Sequence, residues 1–403
     1  MSDPREPMSV SVLSVLVGGA TRTGGPPAFV GGSSLELTRL GGSMRILATD
    51  LALAPTGWWQ VQRRVQATEL HPTLLESDMH LFAARFPRRL AFSPSLYREA
   101  QRVVSRYDVV HIHNLWQFPQ YAGYRAALKA GVPYIVSPHG ALDPYLRMYG
   151  RARKRLMTGL WQGEMLDKAA LIHVTTAEEL ELIRDIAPHV PRAIVPPGVY
   201  VHEFSVLPPR EAFRTSHLKG FEGPVILFLG RVTYKKGVDA LIRAFAHARS
   251  AADCRLAVVG PDDEGLLPGL QSLARELGIE QDVIFTGPLY GDDRLAALSG
   301  ADIWALSSHT ENFGIAVIEA MAAGLPVVIS PAVNLASDIT EAGAGLVAAL
   351  EPDRFGQALA ELAANAGLRT RLCKEGQKFA ARYDWSAIAH RLMDMYRTAS
   401  SAA

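Results

Sequence analysis

Short β-rich runs alternate with helical runs along most of the chain, and this alternation is the feature that most restricts its fold. Ten strands are predicted, at residues 9–17, 44–50, 109–113, 133–137, 171–175, 224–229, 255–260, 282–286, 303–307 and 326–330. Helical patterns such as 28–40, 237–250 and 267–277 lie between them. Strands separated by helices pair in parallel, since a helical crossover brings the chain back to the same end of the sheet. The sequence therefore predicts the α/β class with doubly wound parallel sheets.

The chain is also too long for a single core and contains a linker-like stretch. Its 403 residues exceed the ~250–300 residues at which one hydrophobic core stops growing. Four prolines and a glycine cluster between residues 195 and 210, which is typical of the segment between two packed units. We therefore predict two Rossmann-like domains facing a central cleft, where the carboxyl ends of the strands would bind ligand.

Charge, cysteine content and apolar runs limit the class of protein. The formal net charge is +1, but residues 1–200 carry +6 and residues 201–403 carry −5. A basic half can meet anionic lipid or phosphorylated substrates, and no nucleic-acid reader motif is present. The two cysteines, Cys254 and Cys373, form neither a disulfide framework nor a metal-type spacing. Without a signal-peptide pattern or an apolar run of ~18–20 residues, we expect a protein of the reducing cytoplasm.

The first informative segment is residues 230–237, Gly-Arg-Val-Thr-Tyr-Lys-Lys-Gly, which leaves a predicted strand and enters a predicted helix. Arg231 and Lys236 lie five residues apart on this glycine-flanked turn. A guanidinium pairs two oxygens at once and an ammonium acts as a point charge, so the two cations could bind a diphosphate from two sides. A solvated basic loop would have the same composition, and the residue order of a P-loop is absent.

The second informative segment, residues 311–319, reads Glu-Asn-Phe-Gly-Ile-Ala-Val-Ile-Glu and follows the predicted strand at 303–307. Gly314 allows a sharp turn into a helix, whose first N–H groups and positive dipole end suit a diphosphate. Glu311 precedes this helix and Glu319 lies within it, so the two carboxylates would reach different parts of one elongated ligand. Each could accept hydrogen bonds from vicinal hydroxyls. The alternative of a solvated Glu311 and a Glu319 satisfied inside the protein is weaker, because an unpaired buried carboxylate is costly.

These segments together resemble glycosyltransferase family four, whose members have the GT-B fold. The family pattern combines a G-R-x4-K-G turn with an E-x7-E segment that contains Phe-Gly, and both occur here about 75 residues apart. The runs Val-Val-Gly at 258–260, Phe-Thr-Gly at 285–287 and Glu-Ala-Met-Ala-Ala-Gly-Leu-Pro-Val at 319–327 are also similar. The resemblance covers roughly residues 9–396 and is strongest over 224–350.

The resemblance implies a role for each matching residue of the second domain. Arg231 and Lys236 would hold the donor diphosphate, and Glu319 would bind the ribose hydroxyls. Glu311 would contact the transferred sugar and stabilise the positive charge that develops on it. The diphosphate and sugar would be lined by Phe313, Gly314 and Ile315.

In the first domain, the resemblance singles out a histidine and a glycine-rich loop. His139, in the run Ser-Pro-His-Gly, matches the family histidine beside the donor sugar, and a satisfied histidine at the edge of the cleft is the alternative. Gly24 and Gly25 match the loop that lets backbone approach the donor, although a plain tight turn would have the same sequence. The last helix would return to the first domain. The implied domains are 1–200 plus 386–403 on the acceptor side, and 201–385 on the nucleotide-sugar side.

The implied reaction is the retaining transfer of a hexose from a UDP- or GDP-linked sugar to a glycan or lipid-linked acceptor, in polysaccharide biosynthesis. The departing phosphate would help to deprotonate the acceptor, while the two cations stabilise its charge. The catalytic set is then Glu311, His139, Arg231 and Lys236, with no metal or other cofactor expected. The His-Ile-His run at 111–113 places two imidazoles on one strand face, but two histidines without a third ligand make a poor zinc site.

Two basic segments are compatible with an anionic membrane surface as a partner. The first interleaves aromatic residues with five cations, which are Arg147, Arg151, Arg153, Lys154 and Arg155. The second, residues 85–106, holds six arginines among three aromatic residues. Cations beside aromatics suit anionic lipid, and an ordinary solvated helix face is equally compatible. A peripheral position on the cytoplasmic face would favour a lipid-linked acceptor.

Two functions of other classes compete with glycosyl transfer. A GT-B nucleotide-sugar epimerase would form sugar isomers without an acceptor and usually lacks the paired motifs. A non-catalytic nucleotide-sugar-binding protein could lose any of Arg231, Lys236, Glu311 and His139 freely, so their joint presence is evidence against it. Many family members carry a Glu after the strand at 326–330, where this chain has Leu-Ala-Ser-Asp at 335–338. The donor base, the sugar and the acceptor therefore stay open.

Overall fold

A computed structural model describes residues 9–20, 25–51, 70–148 and 150–401 of the chain. The described residues form two compact units: one ends at Gly198 and resumes at Trp385, and the other spans Val199–Asp384. These limits differ by one or two residues from the predicted domains. Trp385 belongs to the first unit because its ring fills the space above two residues without side chains, Gly32 and Gly198. A Cβ at either glycine would lie 2.2 Å from the indole.

The sheet of the first unit has seven strands within the described ranges, and all paired strands are parallel. Its order is β3-β2-β1-β4-β5-β6-β7. The strands are β1 (Ser11–Gly18), β2 (Ser43–Thr49), β3 (Asp78–Phe82), β4 (Val109–His113), β5 (Tyr134–Ser137), β6 (Leu171–Val174) and β7 (Arg192–Ile194). The strand order reverses between β1 and β4, so their carboxyl ends form the topological switch point at which such sheets bind ligands.

Helices connect these strands. They are α1 (Gly25–Arg39), α2 (Pro72–Leu75), α3 (Pro94–Val103), α4 (Phe118–Ala130), α5 (Pro144–Met148), α6 (Arg151–Met157), α7 (Gly163–Asp167) and α8 (Ala177–Leu182). A π-helical turn, Thr158–Gln162, joins α6 to α7, and 3₁₀ turns occur at Arg88–Leu90 and Val104–Arg106. Helix α1 begins before the predicted residue 28, because the two prolines after Gly25 lie in its first turn, where missing N–H groups cost nothing.

The sheet of the second unit has six described strands, again parallel in every pair. Its order is β10-β9-β8-β11-β12-β13, so the switch point lies between β8 and β11. The strands are β8 (Val225–Leu229), β9 (Arg255–Val259), β10 (Val283–Gly287), β11 (Ile303–Leu306), β12 (Val327–Ile329) and β13 (Leu346–Val347).

The helices of the second unit, and the one that follows it in sequence, are equally regular. They are α9 (Arg210–Leu218), α10 (Val238–Ala251), α11 (Leu267–Glu276), α12 (Gly291–Gly300), α13 (Ile315–Ala322), α14 (Ala336–Glu341), α15 (Pro352–Ala364), α16 (Ala366–Ala381) and α17 (Trp385–Ser400). Helix α17 belongs to the first unit. Two 3₁₀ turns, Val201–Phe204 and Tyr234–Lys236, complete the set. Within the described ranges, no helix combines the length and the apolar content that crossing a membrane requires.

Candidate active site

The switch point of the second sheet brings the two predicted motifs together. Strand β8 runs into the 3₁₀ turn Tyr234–Lys236, and Gly237 ends that turn with φ +60°. The hydroxyl of Ser307, just after β11, donates to the carbonyl of Gly237 at 2.8 Å. A Cβ on Gly237 would lie 2.2 Å from the carbonyl oxygen of Ser307. Only glycine therefore lets the two strand ends approach this closely and place Lys236 beside the loop after β11.

Lys236 and Glu311 form an ion pair between Nζ and Oε2 across this contact. Their side chains are 17% and 14% exposed, so the pair is largely removed from water. Burial raises the pKa of the Glu311 carboxyl, but the positive charges of Lys236, Lys235 and Arg231 outweigh burial and hold that pKa at about 2. Glu311 is therefore a carboxylate near neutral pH. It can stabilise a positive charge, but it has no proton to donate.

The backbone around Glu311 is fixed on both sides. Its N–H donates to the carbonyl of Ala332 at 2.9 Å, and its own carbonyl accepts from the N–H of Asn334 at 3.0 Å. Gly314 has φ +83° and stands at the N-terminus of α13, whose first N–H groups have no partner within the helix. The helix end, the carboxylate of Glu311 and the ammonium of Lys236 thus border one polar surface of the second unit.

Phe313 and Ile315 both pack on the core of the second unit. The Phe313 ring is 4% exposed and packs edge-on against Tyr383, with 5.4 Å between ring centroids. Its side chain is part of the core of the second unit, so only its backbone can line a ligand. Ile315 is half-buried at the first position of α13 and packs on the same core.

The other two predicted donor-binding side chains also have charged partners. Arg231 Nη1 lies 3.5 Å from a carboxylate oxygen of Asp263, and the Arg231 side chain is 38% exposed. Glu319 Oε2 accepts from Arg294 Nη1 at 2.8 Å, and both of these side chains are about one quarter exposed. A ligand that binds here must therefore compete with, or add to, ion pairs that already exist. Neither partner was singled out from the sequence, because a lone Asp or Arg on a loop or helix carries no spacing signal.

In the first unit, His139 lies in a tight turn directly after β5. The N–H of Ala141 donates to the carbonyl of Pro138 at 3.1 Å, and the two central residues, His139 and Gly140, have φ +50° and +76°. Two positive φ values are the signature of a type I′ turn, in which histidine is tolerated better than most residues. The buried carboxylate of Glu179 accepts from the Gly140 N–H at 2.8 Å. The turn therefore presents the His139 ring from a fixed backbone.

Beneath this turn lies a hydrogen-bonded histidine chain of Tyr396, His111, Ser137, His173 and the Val195 carbonyl. Tyr396 Oη lies 2.8 Å from His111 Nδ1, and Ser137 Oγ lies 2.5 Å from His111 Nε2 and 2.6 Å from His173 Nδ1. His173 Nε2 lies 2.7 Å from the Val195 carbonyl oxygen. That oxygen can only accept, so His173 Nε2 donates to it and His173 Nδ1 accepts from Ser137. By the same reasoning, His111 Nε2 donates to Ser137 and Tyr396 donates to His111.

Phe29 of α1 lies over the histidines. Its ring centroid is 5.3 Å from that of His173, 5.6 Å from that of His139 and 6.0 Å from that of His113. Burial lowers the pKa of His139 to about 3 and that of His173 to about 4. The histidines are therefore neutral near pH 7. Among the described residues, no three or more His, Cys, Asp or Glu side chains are grouped so that they could hold a metal ion.

The predicted glycine-rich loop is only partly described. Gly24 lies outside the described residues. Gly25 is the first residue of α1, and it precedes by four residues the Phe29 ring that covers the histidines. The close backbone approach proposed for these glycines stays a prediction.

Two family models match this chain, one for each unit. The model described as "Glycosyl transferase 4-like domain" matches residues 24–198, and the one described as "Glycosyl transferases group 1" matches residues 209–379. The D-inositol 3-phosphate glycosyltransferase of Thermobispora bispora is 32% identical over 83% of this chain and 82% of that relative. This chain belongs to glycosyltransferase family 4. The family predicted from the two motifs is thereby confirmed.

Other relatives and solved structures match this glycosyltransferase over almost its full length. The D-inositol 3-phosphate glycosyltransferase of Saccharomonospora viridis is 29% identical over 98% of this chain and 95% of the relative. Anabaena HepE in complex with UDP and glucose superposes with a TM-score of 0.76 at 19% identity, over 96% of this chain and all of that one. Sucrose-phosphate synthase from Thermosynechococcus elongatus gives 0.73 at 19% identity, over 98% and 100%. These likenesses confirm the predicted GT-B fold.

Proposed function

We propose that this glycosyltransferase transfers a hexose, with retention of configuration and without a metal, from a UDP- or GDP-linked sugar to a glycan or lipid-linked acceptor. The observation that carries the proposal is the buried Lys236–Glu311 pair at the switch point of the second sheet, with Arg231 on the same strand end. The structural relative HepE was solved with UDP and glucose, which supports a uridine nucleotide as the first donor to test. A cytoplasmic role in polysaccharide biosynthesis is part of the same proposal.

The geometry of the second unit supports separate roles for its cations and for the Glu311 carboxylate. Arg231, Lys236 and the N-terminal amides of α13 would hold the diphosphate and stabilise the charge it gains as the glycosidic bond breaks. Glu311, ionised because its pKa is about 2, would face the positive charge that develops on the sugar. Since this carboxylate is already paired with Lys236, it is a weak base, and the departing phosphate would take the acceptor proton. His139 would hydrogen-bond to the donor sugar.

A phosphorylated polyol is a second candidate acceptor. Several relatives are named D-inositol 3-phosphate glycosyltransferases, and the basic first half of this chain could meet an acceptor phosphate. The two acceptor classes are distinguished by supplying inositol phosphate or a lipid-linked sugar to the enzyme with a radiolabelled donor.

The first experiment is a thermal-shift screen of the purified enzyme against UDP, GDP, ADP and their sugar conjugates in EDTA. A ligand of the native state raises stability by about 2.7 kcal/mol at a hundredfold excess over its Kd. A shift with one nucleotide identifies the donor base. Proton NMR of the hexose first released by donor hydrolysis then tests retention, and a shift that needs added metal would contradict the metal-free site.

Replacing Glu319 by alanine should weaken donor binding by roughly tenfold to a hundredfold, the worth of one or two hydrogen bonds to a charged acceptor. The substitution also frees Arg294, its ion-pair partner. Titration calorimetry with the nucleotide found in the screen measures the change. Glu361→Ala removes an exposed carboxylate from α15 and serves as the matched control. Equal affinities for the two variants would remove Glu319 from the donor site.

We also propose that the basic surface of the first unit contacts anionic lipid. Helices α5 and α6 carry exposed arginines beside three exposed apolar side chains, Met148, Leu156 and Leu160, which are 60–73% exposed. Lys154 differs from the arginines, because its ammonium lies 4.4 Å from the centroid of the Trp116 ring and its burial lowers its pKa. The lipid-facing cations would therefore be Arg147, Arg151, Arg153 and Arg155.

Flotation with vesicles of phosphatidylglycerol and phosphatidylcholine tests this surface. Each arginine near an anionic surface is worth about 1 kcal/mol, so changing all four to glutamine should abolish flotation at low salt. A matched variant changes four exposed cations of the second unit to glutamine, namely Arg243, Arg275, Arg371 and Lys374. It should float like wild type. Absence of wild-type binding at low salt would exclude the lipid contact.

A further inference from the structure

We infer that His113 is a positioning residue that sets which ring nitrogen of His139 carries the proton, so that His139 offers an Nδ1–H donor to its ligand. The inference gives a direction to the hydrogen bond that His139 would make in the proposed reaction, and its functional meaning rests on that reaction. The positions of the protons on His113 and His139 depend only on contacts within the first unit.

His113 is the last residue of β4 and is fully buried. Its Nδ1 lies 2.9 Å from Nε2 of His139, and the two rings are nearly parallel, with 21° between their planes. Both imidazoles are neutral, because burial lowers the pKa of each. In a pair of neutral imidazoles, one nitrogen of this contact must donate and the other must accept.

The second nitrogen of His113 decides between the two arrangements. His113 Nε2 is buried and has no hydrogen-bond partner among the described residues. The nearest ring, His111, has a centroid only 3.9 Å away, but both of its nitrogens are engaged by Tyr396 and Ser137. If His139 donated, His113 would carry its proton on Nε2, as a buried N–H without an acceptor. Buried orphan donors are rarer than under-satisfied acceptors, so His113 carries its proton on Nδ1 and donates to His139.

This assignment fixes the chemistry that His139 can offer. Its Nε2 is occupied as an acceptor, so the proton of the neutral ring lies on Nδ1. No partner for Nδ1 occurs within the described part of the chain, and the residue is partly exposed. The type I′ turn and the bond from Gly140 to Glu179 hold the backbone, which leaves ring rotation and tautomer to His113. The ligand atom opposite Nδ1 must therefore be an acceptor, such as a hydroxyl or ring oxygen of a sugar.

The test is a long-range ¹H–¹⁵N NMR spectrum of the enzyme labelled at histidine, in which protonated and bare ring nitrogens resonate in separate ranges. His139 and His113 are assigned by comparison with His139→Gln and His113→Asn. We expect Nδ1–H on both residues in the wild-type enzyme. Nε2–H on His139 would overturn the inference, whatever the enzyme's substrates prove to be.

Kinetics of UDP-glucose hydrolysis supply the second readout. His113→Leu removes the bond to His139 and should lower kcat about tenfold, with the UDP thermal shift unchanged, because that shift reports the second unit. His113→Asn keeps an N–H donor near the position of Nδ1 and should recover most of the loss. His80→Leu, at an exposed histidine of β3, is the matched control and should leave kcat unchanged. Equal kcat for the Leu and Asn variants, both folded, would contradict a role through hydrogen bonding. Failure of the wild type to hydrolyse or bind any of the screened nucleotide sugars would instead count against the proposed reaction.

Discussion

Replacing Lys236 by alanine should lower the turnover of a saturating nucleotide-sugar donor by roughly 10²- to 10³-fold, the usual cost of removing one preorganised charge from the developing anion. The ammonium is largely buried and paired with Glu311, so no water molecule can replace it fully. Its loss also leaves the Glu311 carboxylate without its strongest counter-charge. Turnover is measured as UDP or GDP release under saturating donor. Wild-type turnover in this variant would refute the phosphate assignment.

Two further variants separate catalysis from folding. Removing one partner of a buried ion pair costs about 3–5 kcal/mol of stability, so Lys236→Ala should also lower the melting temperature. Adding Glu311→Gln removes the unpaired charge and should restore part of that stability without restoring turnover. Lys235→Ala deletes the neighbouring cation, which acts on Glu311 through its charge, and its effect on turnover should be much smaller. Recovery of turnover in the double variant would mean that Lys236 serves only to neutralise Glu311.

Most of the fold follows from local pattern. The ten predicted strands all occur within two residues of their predicted ends, because strands of a parallel sheet covered on both faces read as unbroken apolar runs. Strands β3, β7 and β13 were not predicted from the sequence. Strand β3 alternates polar and apolar residues at the edge of its sheet, β7 carries an arginine at its start, and β13 has only two residues. None of the three has the uniform apolar signal on which the predictions relied.

Residue spacing in the sequence did not predict which side chains of the site pair with each other. The motifs marked Lys236 and Glu311 as separate ligand contacts, whereas the fold pairs them with each other. Glu319 likewise pairs with Arg294, 25 residues earlier in the sequence. In the His-Ile-His run, the second histidine contacts His139, and the first joins a hydrogen-bonded chain that ends at Val195. These partners come from different strands and helices, so no window of sequence contains them.

Mild acid should unfold the first unit before the second. The pKa values of its four clustered histidines, His111, His113, His139 and His173, lie well below the usual ~6.5, because partial or full burial disfavours the charged ring. Below pH 6.5 these histidines are protonated in the unfolded chain but stay neutral in the folded unit. The stability they contribute is therefore complete above pH 6.5 and falls as the pH decreases toward the folded values, which are about 3 for His139 and about 4 for His173. At pH 5 the free energy of unfolding is lower by about 2 kcal/mol for a fully buried histidine with a pKa of about 4, such as His173.

Hydrogen exchange read out by mass spectrometry distinguishes the two units at pH 7.5 and pH 5, after correction for the intrinsic exchange rate. Peptides of β4, β5, β6 and α17 should lose protection at pH 5, because the unfolded state binds protons on His111 and His173 and the free energy of unfolding of this unit is therefore lower. The ion pair of Glu311 should be unaffected, since that carboxyl titrates only near pH 2. His173→Gln removes one titrating ring and should weaken the pH dependence, whereas the exposed His189→Gln should not. Equal loss of protection in both units would mean that groups other than the buried histidines govern acid unfolding.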